Sequence, residues 1–470
     1  MKRYLGVYSV IVLIPVALAV GMVMWATHGV GGGTAAVDAG GQTASQLLLA
    51  AAVVVVAAAV GGAVARRCGQ PGVVGELAAG LILGPSVLGA LAPQVSASLL
   101  PASVLPQLDT LAQFGVVFFM FLIGAELPAG TLRRSASAGF VIGHASIAVP
   151  FLIGTGVAWW LYGQFPPPHA SLMVYVLFVA VSFAITAFPV LARILSEQRL
   201  LHTPLGVTGM AAAGIGDVTA WGLLAVLIAL TRGTSLLAAG AALVFVTLFA
   251  VIMFWVVKPS VAWVLERAEA GRASRNGVCA ALVCLVLVSA LITDRIGVHA
   301  IFGAFLAGVI MPRDSSLVEE LVSRIHGVTV WFLLPLFFAT VGLRTELGSL
   351  TGVGTWLTCL LIVVVAVVAK VASGAVATAA VGGHTRRETL AIGVMMNCRG
   401  LTELVVLSLG VQLGVLNHEL FAMFVVMALL TTAMTGPILR RLIPAHVPPQ
   451  SHGDEPRSRT KEEHHDSHSA

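Results

Sequence analysis

The sequence predicts an all-α polytopic membrane protein with 13 to 14 transmembrane helices. Of its 470 residues, 58% are hydrophobic and only 10% are charged, whereas soluble globular proteins carry about 25% charged residues. Apolar runs long enough to cross a bilayer as a helix, about 20 residues, recur along the whole chain. These runs exclude a membrane β-barrel, whose strands alternate polar and apolar residues over about 10 positions.

The predicted spans follow from the hydropathy of the chain, taken in order. They lie near residues 4–27, 46–65, 71–92, 108–128, 138–162, 169–192, 204–231, 235–257, 277–293, 297–312, 326–343, 352–381, 388–411 and 419–439. A basic start precedes the first apolar run, so residues 1–45 could hold a signal anchor or a cleaved signal peptide, followed by an outside loop. The length of the run favours an anchor, and cleavage would leave 13 spans. The polar, His-rich segment 445–470 is expected to be a disordered cytoplasmic tail.

The distribution of basic residues predicts the orientation. With the N-terminus in the cytoplasm, 21 of the 26 Lys and Arg fall on the cytoplasmic side, including Arg193 in the loop after the sixth span, while Arg232, Arg295 and Arg344 fall outside. Cytoplasmic loops of membrane proteins carry this excess of positive charge, which places the C-terminus in the cytoplasm as well. The net charge of +5 therefore reflects topology, and no nucleic-acid partner is expected.

The sequence lacks the usual patterns of metal sites and of intramembrane enzymes. Its five cysteines are scattered without a CxxC spacing, and neither HExxH nor DDxxD occurs. A disulfide framework, a zinc site and an iron–sulfur site are therefore not expected. We expect neither an enzyme nor a bound cofactor.

An internal repeat relates two parts of the chain. The segment GELAAGLILGP from Gly75 matches GAFLAGVIMP from Gly303, and FMFLIGAEL matches FFATVGLRTEL with Gly124 aligned to Gly342. In both matches the partner lies seven spans further on, and because seven is odd, the two copies cross the membrane in opposite directions. The membrane domain, 46–440, then consists of repeat one, 46–231, a linker helix, 235–257, and repeat two, 277–439.

The same offset of seven spans pairs the sixth span with the thirteenth. Both spans contain a stretch that disrupts a helix. The first is Thr186, Ala187, Phe188 and Pro189; the second is Asn397, Cys398, Arg399 and Gly400. Two discontinuous helices in corresponding positions of an inverted repeat predict a substrate site at the bilayer centre.

Asp217 is the strongest candidate for that site. It lies near the middle of the seventh span, beside the first break, and no Lys or Arg within this span neutralises it at that depth. A carboxylate at mid-bilayer needs a partner or a function. We interpret Asp217 as the group that binds either a dehydrated monovalent cation or a proton; a structural carboxylate paired across helices is the alternative. Thr186 and Pro189 would supply a hydroxyl and freed backbone carbonyls to the cation.

Four further residues with a formal charge lie well inside predicted spans, away from the span ends. Lys370, deep in the twelfth span, could hold a structural ion pair or release a proton. Arg399 and Glu403 are four residues apart and can form a local pair at the second break, where Arg399 could also offset the carbonyl ends of the broken helix; direct contact with the substrate is the alternative. Glu76, on a Gly-rich helix, is interpreted as a shallowly buried structural carboxylate rather than a transport residue. Glu126 and Asp294 fall at span ends and are not expected to act in transport.

Five ordered blocks resemble the monovalent cation:proton antiporter-2 family of the sodium/proton exchanger superfamily. They are GELAAGLILGPSVLG, FFMFLIGAELP, AITAFPVLARIL, TDRIGVHAIFGAFLAGVIMP and MNCRGLTEL, within residues 46–440. The likeness is to bacterial Na+ or K+/H+ exchangers and to the plant and fungal cation/proton exchanger branch.

The resemblance implies an inverted-repeat antiporter in the plasma membrane, built as a homodimer. Each protomer would have a dimerisation domain and a core domain with two crossed, unwound helices, and would work by an elevator movement. Asp217 matches the ion-binding aspartate of the family, Thr186 and Pro189 match its unwound helix, and Lys370 resembles its basic core residue.

Gly216 departs from the family, which usually has Asp or Asn at this position. With one titrating carboxylate left, we expect an electroneutral exchange of one cation for one proton. The alternative is a K+ efflux channel-like protein without obligatory proton coupling, although no TVGYG-like carbonyl filter occurs in the sequence.

Overall fold

The computed structural model describes residues 39–126, 129–232, 236–297, 299–344, 348, 350 and 352–443, and all regular secondary structure in these ranges is helical. The predicted first span and the tail lie outside the described residues. In chain order the helices are α1 (Ala39–Arg67), α2 (Gly72–Leu83), α3 (Leu88–Leu91), α4 (Pro93–Leu99), α5 (Leu105–Glu126), α6 (Ala129–Tyr162), α7 (Leu172–Ala184), α8 (Phe188–Glu197), α9 (Pro204–Arg232), α10 (Leu236–Ile252), α11 (Lys258–Glu269), α12 (Arg275–Ile296), α13 (Ala300–Val309), α14 (Ser316–Val328), α15 (Leu334–Leu343), α16 (Val353–Val381), α17 (Arg386–Met396), α18 (Leu401–Gln412) and α19 (His418–Leu442). Single π-helical turns, Met253–Val257 and Thr329–Leu333, join α10 to α11 and α14 to α15.

Eleven helical segments of the described chain are long and apolar enough to cross a membrane, which confirms an all-helical, multi-pass membrane protein. Each of the eleven overlaps a predicted span. The span predicted at 297–312 contains only the ten-residue helix α13, and the span at 388–411 is divided between α17 and α18. The predicted linker helix, 235–257, continues through a π-helical turn and α11 as far as Glu269.

The helices pack as two groups. The first group contains α1, α2, α5 and the run from α12 to α15, in which α1 packs on α2, α13 on α5 and α12, and α15 on α2 and α5. The second group contains the run from α6 to α9 and the run from α16 to α19, in which α6 packs on α7, α9 and α16. Helices α2 and α5 of the first group contact α8 of the second, and α15 contacts α18.

Two helix crossings in the first group use the glycines of the predicted repeat. At the α2–α15 crossing, a Cβ on Gly80 would meet the carbonyl oxygen of Ala339, and one on Gly342 would meet that of Leu77. Each of these carbonyls lies three residues before the opposite glycine. Glycine at these positions lets the two backbones approach closely, as in other membrane helix pairs.

The α5–α13 crossing repeats this arrangement. A Cβ on Gly308 would meet the carbonyl oxygen of Phe121, and one on Gly124 would meet that of Phe305. The contacted carbonyl again lies three residues before the partner glycine. The sequence match of Gly124 with Gly342 therefore corresponds to two crossings with the same local geometry.

We predict that Gly308→Ala destabilises the protein, because the added methyl group would collide with the backbone of α5. Overpacking of this kind costs about 1–3 kcal/mol, and we expect a lower midpoint of thermal unfolding in detergent. Gly156→Ala on α6 is the matched control, since a Cβ there meets nothing within 4 Å and alanine is the better helix former. Equal midpoints for the two variants would contradict the prediction.

Candidate functional site

The first break separates α7 from α8. Ile185 and Ala187 have extended backbone angles, φ −66° with ψ 140° and φ −84° with ψ 96°. Pro189 lies in the first turn of α8. A proline has no N–H to continue the helical hydrogen bonds of α7, and it is well accommodated in the first turn of a helix, where that N–H would have no partner. The break therefore follows from the local sequence.

The second break separates α17 from α18 and lies directly against the first. The hydroxyl of Thr186 donates to the carbonyl oxygen of Met396 at 3.0 Å. The N–H of Ala187 donates to the carbonyl oxygen of Cys398 at 2.9 Å. These bonds join the two breaks, so each satisfies backbone groups that the other exposes.

The C-terminal end of α7 is covered by two buried cations. Arg399 Nη1 donates to the carbonyl oxygen of Ser182 at 2.5 Å, and Nη2 donates to that of Phe183 at 2.8 Å. Lys370 Nζ donates to the next carbonyl, that of Ala184. The last carbonyls of a helix have no partner within the helix, and the C-terminus carries partial negative charge. Arg399 and Lys370 supply both the missing donors and the opposite charge.

Lys370 is 0% exposed and has three acceptors. Besides Ala184, Nζ donates to the carbonyl oxygen of Ser146 at 2.9 Å and to Thr186 Oγ1 at 2.7 Å. Thr186 gives its only hydroxyl hydrogen to Met396, so its oxygen is an acceptor towards Lys370. Three acceptors match the three donors of an ammonium group and exceed the two of a neutral amine.

Arg399 also pairs with Glu403, as its spacing predicts. Nη1 lies 2.9 Å from Oε1, and both side chains are fully buried. Thr432 on α19 fixes the backbone of Arg399, since its hydroxyl donates to the Arg399 carbonyl oxygen at 2.6 Å and accepts the Arg399 N–H at 3.2 Å. The pair is therefore held in the break by a third helix.

Asp217 on α9 is 0% exposed, and neither of its carboxylate oxygens has a hydrogen-bond partner within the described chain. The backbone amide of Phe188 and the charge of Lys370 act on this carboxylate. Phe188 is the first residue of α8, and N–H groups at a helix N-terminus are free to face an anion. The arrangement thus places a buried carboxylate without an ion-pair contact at the positive end of a half-helix.

Three other buried oxygens of this region also lack a partner among the described residues, namely Ser146 Oγ, Asn397 Oδ1 and Glu403 Oε2. Sequence reasoning placed Asn397 in the break but did not single out Ser146. A serine inside an apolar helix carries no signal that distinguishes it from a packing residue, and only the contact of its carbonyl with Lys370 places it here.

Glu76 pairs with Arg193 and not with Asp217. It is 2% exposed, and its Oε1 lies 3.4 Å from Arg193 Nη2 on α8. This contact fits the predicted structural role of Glu76. Arg193, assigned to a cytoplasmic loop from the sequence, is a buried helical residue that also pairs with Glu197 at 2.9 Å. A single hydropathy profile cannot show that a helix continues through a charge whose partners come from elsewhere in the chain.

Gly216 leaves space beside Asp217. A Cβ at this position would lie 3.8 Å from Ile147 Cδ1 and 3.9 Å from the carbonyl oxygen of Gly143, which are ordinary contact distances. A larger residue is therefore not excluded by backbone crowding.

Comparisons with known proteins agree with this architecture. A family model described as "Sodium/hydrogen exchanger, transmembrane" matches residues 51–443. The Na(+)/H(+) antiporter NhaS4 of Synechocystis sp. is 38% identical over 385 residues, which cover 82% of this chain and 94% of that protein. The K(+)/H(+) antiporter 1 of Saccharomyces cerevisiae is 35% identical over 80% of this chain, and Cation/H(+) antiporter 20 of Arabidopsis thaliana is 39% identical over 78%. The matched region spans less than half of these two proteins, 44% and 45% of their lengths.

A solved structure shares the fold. The sodium proton antiporter MjNhaP1 of Methanocaldococcus jannaschii superposes with a TM-score of 0.56 over 84% of this chain and 96% of its own, at 14% sequence identity. The resemblance that the sequence blocks indicated is confirmed by these matches. The chain belongs to the sodium/hydrogen exchanger family of membrane transporters.

Proposed function

We propose that this protein exchanges a monovalent cation, Na+ or K+, for a proton across the plasma membrane, with Asp217 binding the cation and the proton in turn. The observation that carries the proposal is a fully buried carboxylate whose two oxygens have no hydrogen-bond partner within the described chain. An uncompensated charge in the low-dielectric interior is costly. Either a bound cation or a proton would remove that charge, so each excludes the other.

The surroundings of Asp217 support an exchange of one cation for one proton. Glu403 is paired with Arg399, and the three N–H groups of Lys370 all have acceptors. Lys370 then remains an ammonium ion that stabilises the end of α7 and does not carry the transported proton. Asp217 is then the one carboxylate of this set that binds the cation and the proton in turn. Since one cation is exchanged for one proton, each cycle moves no net charge.

The packing supports alternating access by an elevator movement. Asp217, Lys370 and both breaks belong to the second helix group, which would move as the core domain against the first group. The first group would form the dimerisation domain of a homodimer. The matched glycine crossings, Gly80 with Gly342 and Gly308 with Gly124, support an inverted repeat in which the two halves exchange roles.

The names of the relatives indicate that the transported ion is a monovalent cation. One relative is named a Na+/H+ antiporter and another a K+/H+ antiporter, so both ions are candidates for this chain. The excess of basic residues on one side supports a cytoplasmic C-terminus.

We predict that Asp217→Asn abolishes cation-induced proton efflux, because an amide neither binds a proton nor balances a cation. The measurement uses everted vesicles from an antiporter-deficient host, with Na+, K+, Li+ and Rb+ added in turn. Asp294→Asn is the control, since Asp294 is exposed at the end of α12. A wild-type response that persists in Asp217→Asn, or tracer K+ leakage without any proton response, would contradict the proposed function.

We predict that Lys370→Gln lowers both the thermal stability and the maximal exchange rate, because an amide has two N–H donors for three acceptors. The exchange that remains should still be coupled, so that added cation still drives proton movement, since Lys370 is not the proton carrier. Lys258→Gln, at the exposed start of α11, is the control for loss of a charge. Cation transport without proton movement in Lys370→Gln would assign proton transfer to Lys370 instead.

The stoichiometry can be tested in proteoliposomes. We predict that Na+-driven proton movement proceeds at the same rate when a thiocyanate gradient imposes a membrane potential of either sign. An electroneutral cycle moves no net charge, so the potential does no work on it. A rate that rises with one polarity and falls with the other would show that more than one proton accompanies each cation.

A further inference from the structure

The contact between the two helix groups carries buried charges at one end. Glu76 on α2 pairs with Arg193 on α8 at 3.4 Å, and the two residues are only 2% and 8% exposed. Arg193 Nε lies 2.9 Å from Glu197 Oε1. Glu197 Oε2 accepts the N–H of Gly72, the first residue of α2, at 2.8 Å. Two polar links therefore fasten α8 to α2.

Other contacts fasten the groups together at the same end. His202, in the segment between α8 and α9, lies 3.8 Å from Glu126 at the end of α5. Gly436 on α19 packs on Pro71, which directly precedes α2. Within the second group, Gln198, just after α8, donates to the carbonyl oxygen of Gly436 at 3.0 Å, which links α19 to the end of α8. Three segments of the second group thus meet the first group where α8 ends.

Helix α8 connects this contact to the proposed ion site. The amide of its first residue, Phe188, acts on the Asp217 carboxylate, and Arg193 lies five residues further along, roughly one and a half helical turns. A helix of ten residues moves as a unit. The position of Arg193 against α2 therefore sets the position of the amide end that faces Asp217.

We propose that Arg193 is a positioning residue for cation/proton exchange. It holds α8 on α2 while the ion site is closed towards the side of the membrane on which α8 ends. Opening towards that face requires Arg193 to leave Glu76. This inference rests on the proposed alternating access at Asp217. In the proposed topology, the face concerned is the cytoplasmic one.

The energetic reason is the burial of the pair. Glu76 Oε2 has no hydrogen-bond partner within the described chain, so separation from Arg193 would leave a buried carboxylate still less compensated. Breaking a buried ion pair is strongly unfavourable for this reason. The pair therefore biases the equilibrium towards the closed arrangement, and weakening it should populate the open one.

Cys398 provides a native probe, because it lies in the second break and is 0% exposed. The other four cysteines, Cys68, Cys279, Cys284 and Cys359, would be replaced by serine. The measurement is the rate at which a small, membrane-impermeant methanethiosulfonate modifies Cys398, in everted and in right-side-out vesicles. Everted vesicles expose the cytoplasmic face.

We predict that Arg193→Gln raises the modification rate in everted vesicles at least about fivefold, with no increase in right-side-out vesicles. Glu76→Gln, which keeps the shape of the side chain, should act in the same direction, and Arg193→Lys should restore a rate close to that of the parent. Arg344→Gln is the matched control, because Arg344 pairs with Asp109 inside the first group and should leave the rate unchanged.

Two outcomes would overturn the inference. One is an unchanged rate on both faces in Arg193→Gln and Glu76→Gln, with both variants monodisperse on size exclusion. The other is an equal increase on both faces, which would show general loosening of the fold. Failure of the proposed function is separate from these outcomes, since it would appear as a parent protein without cation-dependent proton flux, whatever the sidedness of Cys398 modification.

Discussion

The architecture of the site depends on one constraint, which is that backbone groups freed inside a membrane protein must find partners within the protein. Breaking the helix between Ala184 and Phe188 frees carbonyls at the end of α7 and N–H groups at the start of α8. The carbonyls receive Arg399 and Lys370, and the second break supplies the Cys398 carbonyl to the amide of Ala187. The two cations are therefore required by the break itself, before any role in transport.

The same break separates positively charged side chains from a negatively charged one. Cationic side chains cover the negative end of α7, and the carboxylate of Asp217 faces the positive end of α8. Each half-helix dipole is thus matched by an opposite formal charge. Lys370 and Arg399 have complete or nearly complete sets of acceptors, whereas Asp217 has no hydrogen-bonded partner in the described part of the chain. This asymmetry supports the proposal that the Asp217 carboxylate is the group that binds the cation and the proton in turn.

A second consequence concerns motion. The two halves of the discontinuous helix make different contacts. The C-terminal end of α7 binds Arg399 and Lys370, whereas α8 contacts α2 through Arg193 and Glu197. Glycine crossings keep α2, α5, α13 and α15 in close backbone contact within the first group. The second group meets the first partly through polar contacts, which can be broken and remade. Close packing within the first group and polar contacts at its edge are consistent with rigid-body displacement of one group against the other.

The sequence by itself determined the membrane class, most of the spans and the two breaks, and it singled out Asp217 as a charge inside a span, because hydropathy, proline chemistry and the cost of buried charge act locally along the chain. The pairing of Arg399 with Glu403 was also predictable, since both lie on one stretch of backbone. The tertiary structure decided the rest. It buried Arg193, which the sequence placed in a loop, and it gave Glu76 a partner 117 positions away. It also brought the carbonyls of Ser146 and Ala184 to Lys370 across 224 and 186 positions. The physical reason is that a buried charge is stabilised by whatever acceptors packing places around it, and those acceptors include backbone carbonyls that every residue possesses and that no sequence pattern distinguishes.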